Sequence, residues 1–163
     1  MKKFFSAVIL CTALAVLFAA CVSIKDTTTN QTQIPNPITE CETMEQAKAL
    51  TGFEMTVPEA VDGYEEKHIS VISDNLIQVR FAGGEQELLL RKAKGTGDCS
   101  GDYNHYSETA QTEMEGMTVT MKGEPGTVRL ALWTHGGFSY SIGCYAGEVM
   151  TAEALTALLA QIR

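Results

Sequence analysis

The sequence predicts an α+β domain in which a curved antiparallel sheet of about six or seven strands is packed by a C-terminal helix and a short N-terminal helix. Three observations predict it. Between residues 53 and 142 apolar and polar residues alternate in short runs separated by turn residues, the period of half-buried strands. Leu155, Leu158, Leu159 and Ile162 then follow at i, i+3, i+4 and i+7, which is one apolar stripe on a helix. Residues 42–52 carry start and stop signals of a helix of their own: Thr43 can cap it, Gln46 can reach back, and Gly52 can end it in a left-handed turn.

Taken in chain order, the short helix has a thin apolar side of Met44, Ala47 and Leu50. Phe53, Met55 and Val57 then alternate with Glu54 and Thr56, so a strand is expected up to Pro58, which has no amide to give a ladder. Ile69 and Val71 face Ile77, Val79 and Phe81 across Ser73-Asp74-Asn75, a hairpin pattern. Gly83-Gly84 turns the chain into Leu88, Leu89 and Leu90. Val119 and Met121 lead into Gly123-Glu124-Pro125-Gly126, and Val128, Leu130 and Leu132 leave it. Gly136-Gly137 turns again before Phe138, Tyr140 and Ile142. Thr151 caps the last helix, with Glu153 in its first turn, where the helix dipole favours an acid. Deep burial of Met114, Met117 and Met121 would indicate a packed core rather than a sheet curled around a lipid-sized cavity.

The N-terminal segment sets the compartment. Met1, Lys2 and Lys3 precede an uncharged run from Phe4 to Ala20, the pattern of an export signal. That run is at the short end of what spans a bilayer, and it closes in Phe18-Ala19-Ala20-Cys21, which resembles the lipobox of bacterial lipoproteins. Residues 1–20 are thus expected to be a cleaved signal peptide and Cys21 the lipidated N-terminus, carrying palmitate-type acyl chains. Two or more chains hold a protein stably at a membrane where one does not. Residues 21–38, rich in Thr, Asn, Gln and Pro, read as a flexible tether, and 39–163 as a single domain. The expected location is the outer face of the cell membrane, lipid-anchored.

The whole chain has 12 basic and 20 acidic side chains; without Lys2 and Lys3 the mature part has 10 against 20, a formal charge of −10. Such a body repels nucleic acid and an anionic membrane surface alike, so the membrane is a partner through the lipid on Cys21 and not through a basic patch. Beyond Cys21 stand three further cysteines, Cys41, Cys99 and Cys144, in a compartment where disulfides persist. One pair and one orphan is the arithmetic, with three pairings open. Their wide spacing lacks the close pairs that structural zinc takes.

The densest polar segment runs from Lys92 to Asn104. Asp98, Ser100, Asp102 and Asn104 fall at alternate positions, like the first half of a calcium loop, where oxygens at positions 1, 3, 5 and 7 converge. Tyr103 occupies the place of the required glycine, and Thr109 that of the bidentate glutamate. Asp and Asn bonding their own backbone in tight turns explains the same composition without calcium. Arg91, Lys92 and Lys94 adjoin the loop as a basic cluster, which suggests either surface ion pairs or a mixed-charge surface for an anionic group or peptide. His68, His105 and His135 stand far apart, and neither a His-Glu-x-x-His helix nor a Gly-x-Ser-x-Gly elbow is present. Ser100 with His105 is the residual hydrolase pattern. Cys99 suits a disulfide better than a nucleophile, and Trp133 suits the core edge.

A series of short motifs in order, among them Leu50-Thr51-Gly52-Phe53, Val57-Pro58, Gly63-Tyr64, Leu76-Ile77-Gln78-Val79, Arg91-Lys92-Ala93, Ser100-Gly101-Asp102-Tyr103-Asn104, Met121-Lys122-Gly123, Trp133-Thr134 and Tyr140-Ser141, resembles the exported Firmicutes family known as domain of unknown function 4367. The resemblance runs from about residue 40 to the C-terminus. It implies a part of a lipoprotein, or the extracytoplasmic half of a membrane-bound regulator, and brings no catalytic or binding residues. Cys99 and Cys144 depart from the family pattern, and if both are additions the resemblance favours a Cys99–Cys144 disulfide with Cys41 free. Together these readings predict a non-enzymatic domain that binds an unknown protein or peptide, the alternatives being a calcium-dependent module on the 98–104 loop or a hydrolase.

Overall fold

Two four-stranded meanders, joined edge to edge, form one open eight-stranded antiparallel sheet with the order β1-β2-β3-β4-β8-β7-β6-β5. The structure, a computed structural model, describes residues 36–163 apart from Glu115 and Glu148; the expected signal peptide, Cys21 and nearly all of the tether lie outside the described residues. The elements are β1 (Ile38–Cys41), α1 (Met44–Thr51), β2 (Glu66–Ile72), β3 (Leu76–Gly83), β4 (Gln86–Lys94), β5 (Glu108–Met114), β6 (Met117–Gly123), β7 (Leu130–His135), β8 (Phe138–Tyr145) and α2 (Ala152–Leu159). The α+β class holds. The strand count is eight rather than six or seven, and no helix among the described residues is long and apolar enough to cross a membrane.

The count differs at three places, each with a physical reason. β1 and β5 are the two edges of the sheet and are largely exposed, so neither carries the alternate burial that marks a strand in sequence. Residues 53–57 do alternate, with Phe53 and Met55 buried, but they stay outside the ladder. Their backbone instead pairs with the C-terminus, Thr56 N–H donating to Arg163 O at 2.8 Å and Arg163 N–H returning to Thr56 O at 3.2 Å. Val128 likewise leaves the expected hairpin strand and bridges Met150.

The local signals at the helices are realised. Thr43 Oγ1 accepts from Gln46 N–H at 3.3 Å, Gln46 Oε1 accepts from Glu42 N–H at 2.8 Å, and Gly52 closes α1 at φ 75°. The buried face of α1 is Ala47 and Thr51, however, while Leu50 is 44% exposed. In the β2–β3 turn Ser73 and Asp74 both take positive φ, the requirement of the turns that match strand twist.

One face of the sheet is apolar. Ile77, Val79 and Phe81 from β3, Leu88 and Leu90 from β4, and Ile142 and Cys144 from β8 share a core with Leu155, Leu158, Leu159 and Ile162. Burying each large side chain stabilises by roughly 1.5–3 kcal/mol. Met114, Met117 and Met121 pack against this core as half-buried side chains. The opposite face is polar, and the 95–107 loop lies over it because β4 pairs with β8 rather than β5. The chain must pass three strands, about 19 Å at the usual strand spacing, before β5 begins.

Candidate functional site

The loop crosses where β8 offers no bulk. On the polar face β8 presents Ser139, Ser141 and Gly143, alternate residues of one strand. A Cβ on Gly143 would come within 2.6 Å of the Tyr145 ring, so glycine lets that ring fold over the strand. Cys99 hydrogen-bonds Ser139 and Ser141 from above. From β4, the Arg91 guanidinium donates to the carbonyls of Ser100 and Cys99 and, at 2.7 and 2.9 Å, to Gln78 Oε1 on β3. The neighbouring strand thus aims the fork that ties the loop down.

Within the loop the alternate polar residues form successive side-chain turns. Asp98 Oδ1 accepts from Ser100 N–H at 2.8 Å and from Ser100 Oγ at 2.6 Å, Ser100 Oγ accepts from Asp102 N–H at 3.2 Å, and Asp102 Oδ1 accepts from Asn104 N–H at 2.7 Å. Each side chain bonds the backbone two residues ahead. Asp102 Oδ2 accepts from Tyr106 Oη at 2.6 Å, and Tyr145 hydrogen-bonds the same carboxylate. Burial by itself would raise the Asp102 carboxyl, but the bonds from Tyr106, Asn104 and Tyr145 outweigh it and hold the group below its usual range. Burial, and then the bond to Asp102, push Tyr106 up to about 12; burial and the Asp102 charge push Tyr145 up as well.

Of the four residues expected to ligate calcium, Asp98, Ser100 and Asp102 turn their oxygens to the loop's own donors, and Asn104 donates to Asp102. Among the described residues no group of three or more His, Cys, Asp or Glu side chains could hold a metal ion. Ser100 is 3% exposed and its hydroxyl is bonded to Asp98, while His105 sits further along the loop, exposed. His68 pairs instead with Glu66, at 3.0 Å.

The basic cluster is split across the sheet. Arg91 serves the loop, whereas Lys92 and Lys94 point to the apolar face. Lys92, 8% exposed, donates to Glu54 O at 2.6 Å and lies 4.7 Å from the Phe138 ring centroid and 5.2 Å from that of Tyr140; burial pulls its pKa down. Lys94 donates to Thr51 O at 2.7 Å. These two lysines pin residues 51–54, so no mixed-charge surface is formed by the three.

The Cys99–Cys144 disulfide favoured by the family resemblance is not formed: all three cysteines are thiols. Cys99 contacts Ser139 and Ser141 on the polar face, while Cys144, at an even position of β8 with Tyr140 and Ile142, lies in the core on the other. A bond between them would have to pass through the sheet. Cys41, on edge strand β1, is partly buried, which pushes its thiol up.

Two features escaped sequence reasoning. Tyr103, the central residue of the turn that Asp102 closes on Asn104, is 93% exposed. Its signal was present as a large aromatic flanked by turn formers, but it reads as such only once the turns are known to be closed. The second is a cleft of about 500 Å³ beside α2, walled by Pro58, Val61, Tyr64, Met150 and Leu158, with Val149 41% exposed at its edge. It joins segments distant in sequence, so no local pattern marks it. Comparison with family models, curated proteins and solved structures finds no match to this chain.

Proposed function

We propose that the chain is a lipid-anchored extracytoplasmic lipoprotein of the domain of unknown function 4367 kind, and that its domain binds a protein or peptide without chemically changing it. Lipid on Cys21 holds it at the outer face of the membrane, and the acidic body stands off from that surface. The observation that carries the binding function is Tyr103. A fully solvated aromatic costs little to display on a mobile loop, but here it is displayed by a loop fastened at Arg91, Asp102 and Tyr106. Rigid presentation of an amphipathic ring is what recognition surfaces use, because little side-chain freedom is lost on contact. The polar groups of the same loop are bonded to one another, which suits a platform better than a reaction centre.

A photo-crosslinking residue placed at position 103 tests the reading in intact cells, beside palmitate labelling of the wild type and Cys21→Ala. The expected result is label lost in Cys21→Ala and one discrete adduct from position 103, absent when the same residue is placed at the exposed Glu124 outside the loop. An unlabelled wild type would overturn the anchor. Diffuse or missing adducts at 103 would overturn the binding role of the loop.

A further inference from the structure

We infer that the cleft beside α2 is a receptor groove for a cationic amphipathic peptide, an inference that rests on the binding reading above and gives it a second, separate surface. The groove is elongated. Along α2 and its flanks it is lined by Thr151, Ala154, Leu158 and Gln161, and the eight helical residues give one side of the helix a length of about 12 Å at 1.5 Å per residue. The opposite wall is the 58–64 segment. Its volume of about 500 Å³ falls in the range that accepts drug-sized ligands or a few anchor side chains, roughly 300–1,000 Å³. Ala154 and Ala157 keep the helix side low, so a backbone can approach closely.

The occupant's chemistry follows from the charges. Asp62 lines the groove directly, and Glu153, four residues before Ala157 and so its neighbour on the helix surface, stands on the shoulder. Glu59 and Glu65 flank the opposite wall, both exposed. Residues 58–65 and 146–162 contain no Lys or Arg at all. Lys67 is turned to Pro58 O and Glu59, and the Arg163 guanidinium to the carbonyls of Leu159 and Ile162. Lys67 offsets Glu59, and with Asp62, Glu65 and Glu153 the rim keeps a net acidic charge; an apolar trough with such a rim selects a partner with apolar anchors and basic flanks, whereas an acidic or neutral partner gains the first without the second. Its length favours a peptide laid along the helix over a compact ligand, the arrangement of helix-in-groove recognition.

The test uses the full chain in phosphatidylcholine nanodiscs, with empty discs as blank, and two fluorescein-labelled peptides of one Leu pattern, one with Lys and one with Glu at its polar positions. Fluorescence anisotropy should show the Lys peptide binding at least tenfold more tightly than the Glu peptide. Asp62→Asn with Glu153→Gln should weaken it several-fold and flatten its salt dependence, since exposed charges are screened over about 8 Å at 0.15 M salt. Ala154→Trp should abolish binding by filling the groove. Ala154 is exposed, and Ala157→Lys, also at an exposed site, supplies a second block through charge. Tyr103→Ala should leave peptide binding unchanged, which separates this inference from the role given to the loop. Equal affinity for both peptides, indifference to Ala154→Trp and Ala157→Lys, or no binding of the Lys peptide would each overturn the inference. Loss of the position 103 adduct with peptide binding intact would overturn only the loop reading.

Discussion

On one face of the sheet Phe81, Leu88, Leu90 and Ile142 meet Leu155 and Leu159; on the other, a loop is held to β3, β4 and β8 by Arg91, Asp102, Tyr106 and Tyr145. The first contact is non-directional and grows with area. The second is a set of hydrogen bonds, each with one donor, one acceptor and a narrow geometry. Apolar burial supplies most of the stability and places the helix, whereas the polar bonds supply little net energy but fix one conformation of the loop. A molecule built this way can keep its fold while its displayed surface is retuned.

The largest effect that would sharpen this contrast is Leu155→Ala. Leu155 is fully buried in the helix-covered core, so the loss combines removed apolar contact with a residual cavity, about 2–5 kcal/mol. Urea unfolding should show the midpoint falling with an unchanged slope. A loss under about 1 kcal/mol would mean that α2 is not integral to the core.

Arg91→Met comes next. It keeps the stem but strips the donors from the Ser100 carbonyl and the half-buried Gln78 Oε1, and leaving an acceptor of the buried Ser100 without this partner costs about 1–3 kcal/mol. Hydrogen exchange distinguishes this from a core defect: amides of residues 95–107 should exchange faster while those of β2 and β3 keep their protection. Uniform acceleration across the sheet would contradict the division of labour between the faces.

The same division decides what was legible in the sequence. Ile77, Val79 and Phe81 alternate because their face is buried, and Leu155, Leu158 and Leu159 repeat at helical spacing for the same reason; periodicity records burial. Caps at Thr43 and Thr151 are local bonds and could be read from neighbours three residues on. β5 could not, because an edge strand with Glu108, Thr109, Ala110 and Gln111 all exposed has no face to record. At the loop the side-chain turns were readable as one of two alternatives, since Asx bonding reaches only two residues. The fork from Arg91 and the bond from Tyr145 were not, because they depend on β4 pairing with β8. The alternation of side chains along β4 put Lys92 and Lys94 on the far side from Arg91, breaking up a cluster that was continuous only in sequence.

The smallest of these effects is also the most specific. Tyr106→Phe removes one hydrogen bond to the Asp102 carboxylate in a half-exposed site, worth about 1–2 kcal/mol for a bond to a charged acceptor. Asp102 is held below its ordinary range in the folded protein, so the stability it confers is fully present above about pH 4, the unfolded carboxylate value, and is lost as pH falls through the lower folded value. Tyr106 is shifted the other way, up to about 12, so its contribution is present below about pH 10, where an unfolded tyrosine ionises, and fades as pH climbs through the folded value. The difference in unfolding free energy between wild type and Tyr106→Phe should therefore form a plateau between roughly pH 4 and 10 and decline on both flanks. A core defect such as Leu155→Ala carries no titrating group and should give a difference that is flat across the same range. A flat profile for Tyr106→Phe would mean that the Tyr106–Asp102 bond contributes nothing in solution, and that the loop is seated by Arg91 and Tyr145 without it.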